Sequence, residues 1–212
     1  MRRLPGVLAA TCLTAANASA QMPHVAQACY ADTSAVADSR IVVTPDTIVT
    51  LRHLLIGGEF AGIERRLASY DSAARADWRN ENAWMGAWRS FATPMPELTP
   101  AFDRWVDSLP ASPYARIARA FHRDARAEAA SKTSAEMVKD KGTDRMQHWM
   151  TMALEDINVE MERPEPHAQA HLVYAMIAQW HEVGLARQAL DSALARSPYS
   201  SVIHEQYART LR

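Results

Sequence analysis

The chain is poor in the residues that build sheets, disulfide frameworks and phosphate loops. It has two cysteines, Cys12 and Cys29. Cys12 lies in an N-terminal stretch that reads as a removable leader, so Cys29 would stand alone in the mature protein. A single cysteine forms no internal disulfide, even in an oxidising compartment. Runs of β-branched residues are nearly absent. Ile41-Val42-Val43 is the one strand-like trio, too short and isolated to imply a sheet. The seven glycines stand at turns or singly within helical stretches. None belongs to a Gly-x-Gly-x-x-Gly turn, a phosphate loop or a Gly-x-Ser-x-Gly elbow. An excess of one charge is also lacking, with 23 Lys and Arg against 24 Asp and Glu. Nucleic acid as a main partner demands a concentrated positive field, and this balance argues against it.

The N-terminus carries an export pattern. Arg2 and Arg3 give a short positive region, and Leu4 to Ala16 is apolar apart from Pro5, Thr11 and Thr14. Ala18-Ser19-Ala20 supplies the small side chains that signal peptidase selects, which predicts cleavage after Ala20 and a new N-terminus at Gln21. The apolar stretch is shorter than the roughly 20 residues a membrane-spanning helix needs. No later run resembles such a helix. An uncleaved anchor or an organelle transit peptide is the alternative, because no acidic residue precedes Asp32. Neither cysteine follows a lipoprotein-type signal. Removing 20 of the 212 residues leaves 192, a length that suits one domain with a real core. The predicted organisation is a signal peptide at 1–20, an irregular leader at 21–43 and a helical domain at 44–212, in a periplasmic or secreted protein.

Ala and Arg are abundant, and Ala, Leu, Met, Arg and Glu are good helix formers because they lose little rotamer freedom in a helix. Thr44-Pro45-Asp46 opens a first helix with Ile48, Leu51, Leu54 and Leu55 on one stripe, ending at Gly57-Gly58. Phe60, Ile63, Leu67 and Tyr70 mark a second. Glu81 to Ala92 presents Trp84, Trp88 and Phe91. Thr99-Pro100 and Ser112-Pro113 open the next two. Lys132 to Gly142 reads as a loop or frayed helix, and Met146 to Met161 is the most regular stripe. Glu165-Pro166 opens a seventh helix that runs to Trp180 and breaks at Gly184. Ala186 to Leu194 forms an eighth, and Pro198 opens the last. Ser112-Pro113-Tyr114, Pro166-His167-Ala168 and Ser197-Pro198-Tyr199 recur as helix openings. Such recurrence points to an all-α, tetratricopeptide-like stack of antiparallel helical hairpins in a single domain.

Phe60-Ala61-Gly62-Ile63-Glu64-Arg65-Arg66-Leu67, Arg104-Trp105-Val106-Asp107-Ser108-Leu109-Pro110 and Ser112-Pro113-Tyr114-Ala115-Arg116-Ile117-Ala118-Arg119 resemble landmarks of a bacterial domain of unknown function, the family numbered 4034. Met146, Ala153, Asp156 and Ala193-Leu194-Ala195-Arg196-Ser197-Pro198 fit the same order. The resemblance covers residues 50–212 and implies a tetratricopeptide-like fold with no established activity. The chain departs from the family where members carry Ala-Arg-Gly after the fifth helix, since Asp124-Ala125-Arg126-Ala127-Glu128-Ala129 stands there. It also ends at Thr210-Leu211-Arg212, where members tend to continue into a Pro-Arg-Trp-Gly-Gly-like segment.

Candidate chemistry is sparse. His167 and His171, four apart and near Glu165, form half a metal site. A third ligand is not evident, since His181 sits roughly 15 Å farther along a helix. The bland alternative is a solvated first turn. His181-Glu182 begins like a zinc-protease helix, but Leu185 stands where the second histidine belongs. Cys29 lacks a basic neighbourhood that would activate it. Glu155, Glu160 and Glu162 read as a solvated face. Trp84, Trp88, Trp105, Trp149 and Trp180 fall on apolar stripes, whereas Trp78 lies among Asp77, Arg79 and Asn80 and should be partly exposed. The methionines read as gap-fillers between helices.

These readings favour an exported binding scaffold for an envelope protein or peptide, with no cofactor, no metal and no catalytic residue assigned. Trp78, Arg104, Tyr114, Arg116, Arg119 and Arg123 are the candidate surface, because arginine and aromatic side chains dominate binding hot spots. The competing reading is that the arginines are solvated helix faces. The alternative function is an envelope hydrolase, metal-dependent or glycan-acting, on the same fold. The export reading predicts an intact mass that starts at Gln21 for protein recovered from the envelope of an expressing bacterium. A chain retained in the cytoplasm with residues 1–20 attached would overturn it.

Overall fold

A computed structural model describes residues 45–131, 141–179 and 182–211. The predicted signal, the leader, Cys29, Trp180 and His181 lie outside these residues. Among the described residues there are nine α-helices, packed as antiparallel neighbours, and no strands. They are α1 (Pro45–Gly57), α2 (Phe60–Ala76), α3 (Glu81–Arg89), α4 (Thr99–Ser108), α5 (Pro113–Ser131), α6 (Lys141–Met161), α7 (Ala168–Ala178), α8 (Val183–Arg196) and α9 (Ser201–Thr210). None of them is long and apolar enough to cross a membrane.

Local chemistry explains most of the helix ends. Gly58 has φ of 75°, a left-handed conformation that glycine adopts without a Cβ penalty. Its N–H donates to Leu55 O at 3.2 Å, and Glu59 N–H donates to Leu54 O at 2.9 Å, which closes α1 with paired C-terminal bonds. Ser112 Oγ accepts from the N–H groups of Tyr114 and Ala115, capping α5. Ser200 Oγ does the same for Ile203 N–H. The last helix therefore begins at Ser201, three residues after the expected Pro198. The seventh helix also starts later than its proline, at Ala168. Gly184 does not break a helix; it lies in the first turn of α8.

The core is aromatic toward the N-terminal helices and alanine-rich toward the C-terminal ones. Trp88 is fully buried and meets Phe91, Tyr114 and Phe121 at ring-centroid distances of 5.9–6.4 Å. Phe91 contacts Phe102 and Trp105, and Trp105 stacks on Phe60 at 6.1 Å. Such offset and edge contacts add to the burial of large apolar area. In α7 and α8, Ala170, Ala175, Ala186, Ala189 and Ala193 are buried. Small side chains let the two helices approach closely.

Buried charges join helices that are distant in sequence. Asp156 of α6 is 2% exposed. It accepts two bonds from Arg119, at 2.9 and 2.6 Å, and one from Arg123 at 2.7 Å. Arg119 also reaches Asp103 of α4 at 2.8 Å. Burial opposes the charge on Arg119, but the bonds from Asp156 and Asp103 outweigh it and hold the pKa above its usual value. Glu160, expected on a solvated face, is instead fully buried. It pairs with Arg163 at 2.5 Å and lies 3.8 Å from Arg116. Glu155 and Glu162 are exposed as expected. The stripe on α6 is thus wider than its apolar residues, because arginines of α5 and the chain after α6 neutralise the carboxylates on that side. Glu81, the first residue of α3, accepts from Ser201 N–H at 2.7 Å and from its hydroxyl at 2.8 Å. A carboxylate at the N-terminus of α9 is favoured by the helix dipole. Removing Asp156 leaves two buried arginines short of their carboxylate. Asp156→Ala should lower the unfolding free energy by about 3–5 kcal/mol in urea denaturation, and a loss below about 1 kcal/mol would show that the pairs contribute little.

Candidate binding pocket

Two groups of polar side chains stand out inside the bundle: one is hydrogen-bonded within the protein, and the other lines a cavity. The first group centres on Asp71 of α2, 5% exposed. Its Oδ1 accepts from Trp84 Nε1 of α3 and from Gln169 Nε2 of α7, the latter at 3.0 Å. Its Oδ2 accepts from the Tyr114 hydroxyl of α5 at 3.2 Å and lies 3.3 Å from His167 Nε2. Burial, then the Asp71 charge and hydrogen bond, raise the Tyr114 pKa well above its usual value. His167 Nδ1 faces Gln169 Oε1. Both imidazole nitrogens are therefore occupied, and Asp71 holds four partners from three helices and one helix cap. The cluster is closed on itself and joins helices.

Two further histidines are internal. His122 of α5 is fully buried and stacks on Phe102 at 4.7 Å. Its Nδ1 donates to Thr93 O at 2.6 Å. That leaves Nε2 to accept from the Thr99 hydroxyl at 2.9 Å, and Arg126 donates to the same Thr99 oxygen at 2.8 Å. Burial pushes the His122 pKa down to about 4. His171 of α7 is 4% exposed, and neither of its ring nitrogens has a hydrogen-bond partner among the described residues. Burial, with Arg196 nearby, lowers its pKa to about 4 as well. The solvated first turn expected around His167 and His171 is thus not found, since His167 is largely buried and His171 almost wholly so. No group of three or more His, Cys, Asp or Glu residues among those described is placed to hold a metal ion.

The second group lines a cavity of about 250 Å³ bounded by α5, α6, the end of α7 and α9. Asp124 and Glu128, one turn apart on α5, supply its acidic wall. Met146 and Met150, one turn apart on α6, face it together with Met176 of α7. Gln179, Gln206 and Arg209 complete the far side. Asp124 makes no hydrogen bond or ion pair with a described residue. Burial first, and the Glu128 charge second, raise its pKa to about 6.

The six residues expected on a binding surface have separate settings. Trp78 is 41% exposed, in the short turn between α2 and α3. Arg104 is exposed and donates to Ile56 O at 3.4 Å. Tyr114 is engaged by Asp71, and Arg116 faces Glu160. Arg119 and Arg123 share Asp156 and are inward-facing, with Arg123 only 6% exposed. Tyr114 and the three α5 arginines thus meet carboxylates of α2, α4 and α6, which no pattern within α5 announces. The pocket residues Asp124 and Glu128 were visible only as an i,i+4 acidic pair, a spacing that solvated helix faces share.

No family model, curated protein or solved structure matches the chain.

The histidines set a pH dependence. Folded His122 and His171 protonate near pH 4, whereas an unfolded histidine does so near 6.5. Between these values the unfolded chain binds more protons, so this stability is complete above about pH 6.5 and falls as the pH drops toward 4. Asp124, with its raised pKa, acts in the opposite sense below pH 6 and offsets part of the loss. His171→Leu removes one histidine contribution and no hydrogen bond. It should keep or increase stability at pH 7, and it should lose about 2 kcal/mol less than the wild type between pH 7 and 5. Equal losses in urea denaturation at the two pH values would reject the assignment.

Proposed function

We propose that the protein is an exported, tetratricopeptide-like scaffold of family 4034 type that binds a partner in the cell envelope through the pocket between α5, α6, α7 and α9. The observation that carries this reading is Asp124, a half-buried carboxylate with no partner among the described residues, in a cavity of about 250 Å³. A charge left unmatched beside apolar walls costs stability unless a ligand matches it. The Asp71 cluster and the Arg119–Asp156–Arg123 network, by contrast, have their partners inside the fold. The cavity is smaller than the roughly 300–1,000 Å³ of drug-sized sites, which suits one inserted side chain or a small molecule. Export rests on residues 1–20 and lies outside the described structure.

One observation favours the hydrolase reading: two carboxylates line one cavity, and one has a raised pKa, as a general acid requires. Glycoside hydrolysis needs its two carboxylates on either side of the scissile bond. Residues one turn apart on a single helix approach a ligand from the same side, so the binding reading is the stronger.

Glu128 is exposed at the pocket mouth, and a tryptophan there fills the cavity without entering the core. Affinity purification from envelope extract should recover a stoichiometric partner with the wild type and lose it with Glu128→Trp. No partner at micromolar protein, or a partner retained by the variant, would refute the pocket as the binding site.

A further inference from the structure

We infer that the pocket between α5, α6, α7 and α9 takes an alkylammonium group, that is, a primary ammonium on a short unbranched aliphatic stem. This assignment rests on the binding reading above and names the chemistry of its ligand. It starts from the hydrogen-bonding groups that the fold leaves over. Gln206 Nε2 donates to Gln179 Oε1 at 3.1 Å, and Gln179 Nε2 donates to Met176 O at 2.9 Å. This relay fixes both amides and leaves Gln206 Oε1 as an acceptor. Across the cavity, the Asp124 carboxylate is also an acceptor, with no donor among the described residues. The one cationic lining residue, Arg209, is tied to Glu205 at 2.5 Å in an exposed pair. Among the described lining residues, the groups left over are therefore acceptors, one of them the Asp124 carboxylate, and a donor-rich cation complements them. An ammonium presents three donors and no acceptor.

The remaining wall selects the stem. Met146, Met150 and Met176 are unbranched and polarisable, and their side chains adapt to a flexible chain of methylenes. An alkylammonium laid along them buries its stem and brings its head to Asp124, as lysine does on protein surfaces. A carboxylate ligand would meet Asp124 and Glu128 as like charges. A neutral apolar ligand would leave Asp124 unmatched. The same chemistry has two sources, a free aliphatic amine and a lysine side chain of a partner protein.

Isothermal titration of the full purified chain with n-pentylammonium, cadaverine and Nα-acetyl-lysine methylamide, against pentanol and pentanoate, tests the assignment. The ammonium probes should bind saturably at pH 7.5, while pentanol and pentanoate bind at least tenfold more weakly. Preference for the lysine derivative would identify a partner's side chain as the source, and preference for cadaverine a free amine. Asp124→Asn keeps the side-chain shape and should weaken the ammonium probes by about tenfold or more, the scale of one charge-assisted bond. The wild type supplies a readout that needs no variant. The titratable groups facing the pocket are Asp124 and Glu128 from α5 and Arg209 from α9; α6 and α7 present only methionines and Gln179. Affinity for n-pentylammonium should fall about tenfold between pH 7.5 and 5, as protonation of Asp124, whose pKa is about 6, leaves a minor fraction competent. Equal binding of pentanol and pentylammonium, or affinity indifferent to both pH and Asp124→Asn, would overturn the ligand class. If Glu128→Trp abolishes partner capture while no ammonium probe binds, the ligand class fails and the pocket reading survives.

Discussion

Asp71 is a carboxylate in the interior of a helical bundle, and the arrangement of α2, α3, α5 and α7 depends on how it is satisfied. An ionised group away from water is costly unless every lone pair finds a donor. Trp84, Tyr114 and Gln169 supply donors from parts of the chain up to 98 residues away, and His167 Nε2 lies 3.3 Å from the same carboxylate. Because the penalty for an unmatched buried charge is steep, these helices hold one relative position in which all four partners reach. Apolar packing alone tolerates small slides, since dispersion and area burial have little direction. The Asp71 cluster adds that direction. The Glu81 contact to the start of α9 and the clamp of Asp156 on Arg119 and Arg123 apply the same principle elsewhere.

This use of polar groups separates structure from function within one interior. Where every donor and acceptor is matched inside the protein, the group has no capacity left for a ligand. His122 is neutral, doubly hydrogen-bonded and stacked on Phe102, and it secures the loop after α3. Arg126 bonds Thr99 and lies over the Trp149 ring at 3.7 Å. Asp124, two residues before Arg126 on α5, is different. It faces methionines, a fixed amide carbonyl and a neighbouring carboxylate. One helix thus carries both kinds of residue: Arg119, Arg123 and Arg126 are engaged by α4, α6 and their flanks, while Asp124 opens onto the cavity with no partner among the described residues. That contrast, more than the mere presence of charged residues, directs attention to the pocket.

Much of the helical layout was legible in the residues. The stripe Met146, Met150, Ala153, Ile157 repeats with the helical period, and Met150, Ala153 and Ile157 are buried. Pro45, Thr99-Pro100 and Ser112-Pro113 start helices because proline needs no N–H donor in the first turn, and the Ser112 hydroxyl caps α5. Trp78 was legible as the exposed tryptophan because it lies off every stripe. Glu160 and Asp156 were not legible as interior residues, since a carboxylate beside an apolar stripe usually faces water. Their burial follows from arginines on α5 and after α6 that come within reach only when the helices pack.

The sequence by itself determined the class of the molecule: helices, their approximate ends and their apolar faces. These are local properties, carried by propensity, capping and period over a few neighbouring residues. The tertiary structure decided which polar groups are matched and which are left over. It turned Arg119 and Arg123 inward, buried His171 with no hydrogen-bond partner among the described residues, joined Asp71 to Gln169, and left Asp124 facing a cavity among methionines. Those outcomes depend on side chains from several helices meeting at hydrogen-bonding distance, and a one-dimensional pattern records spacing along a helix but not the partner across from it.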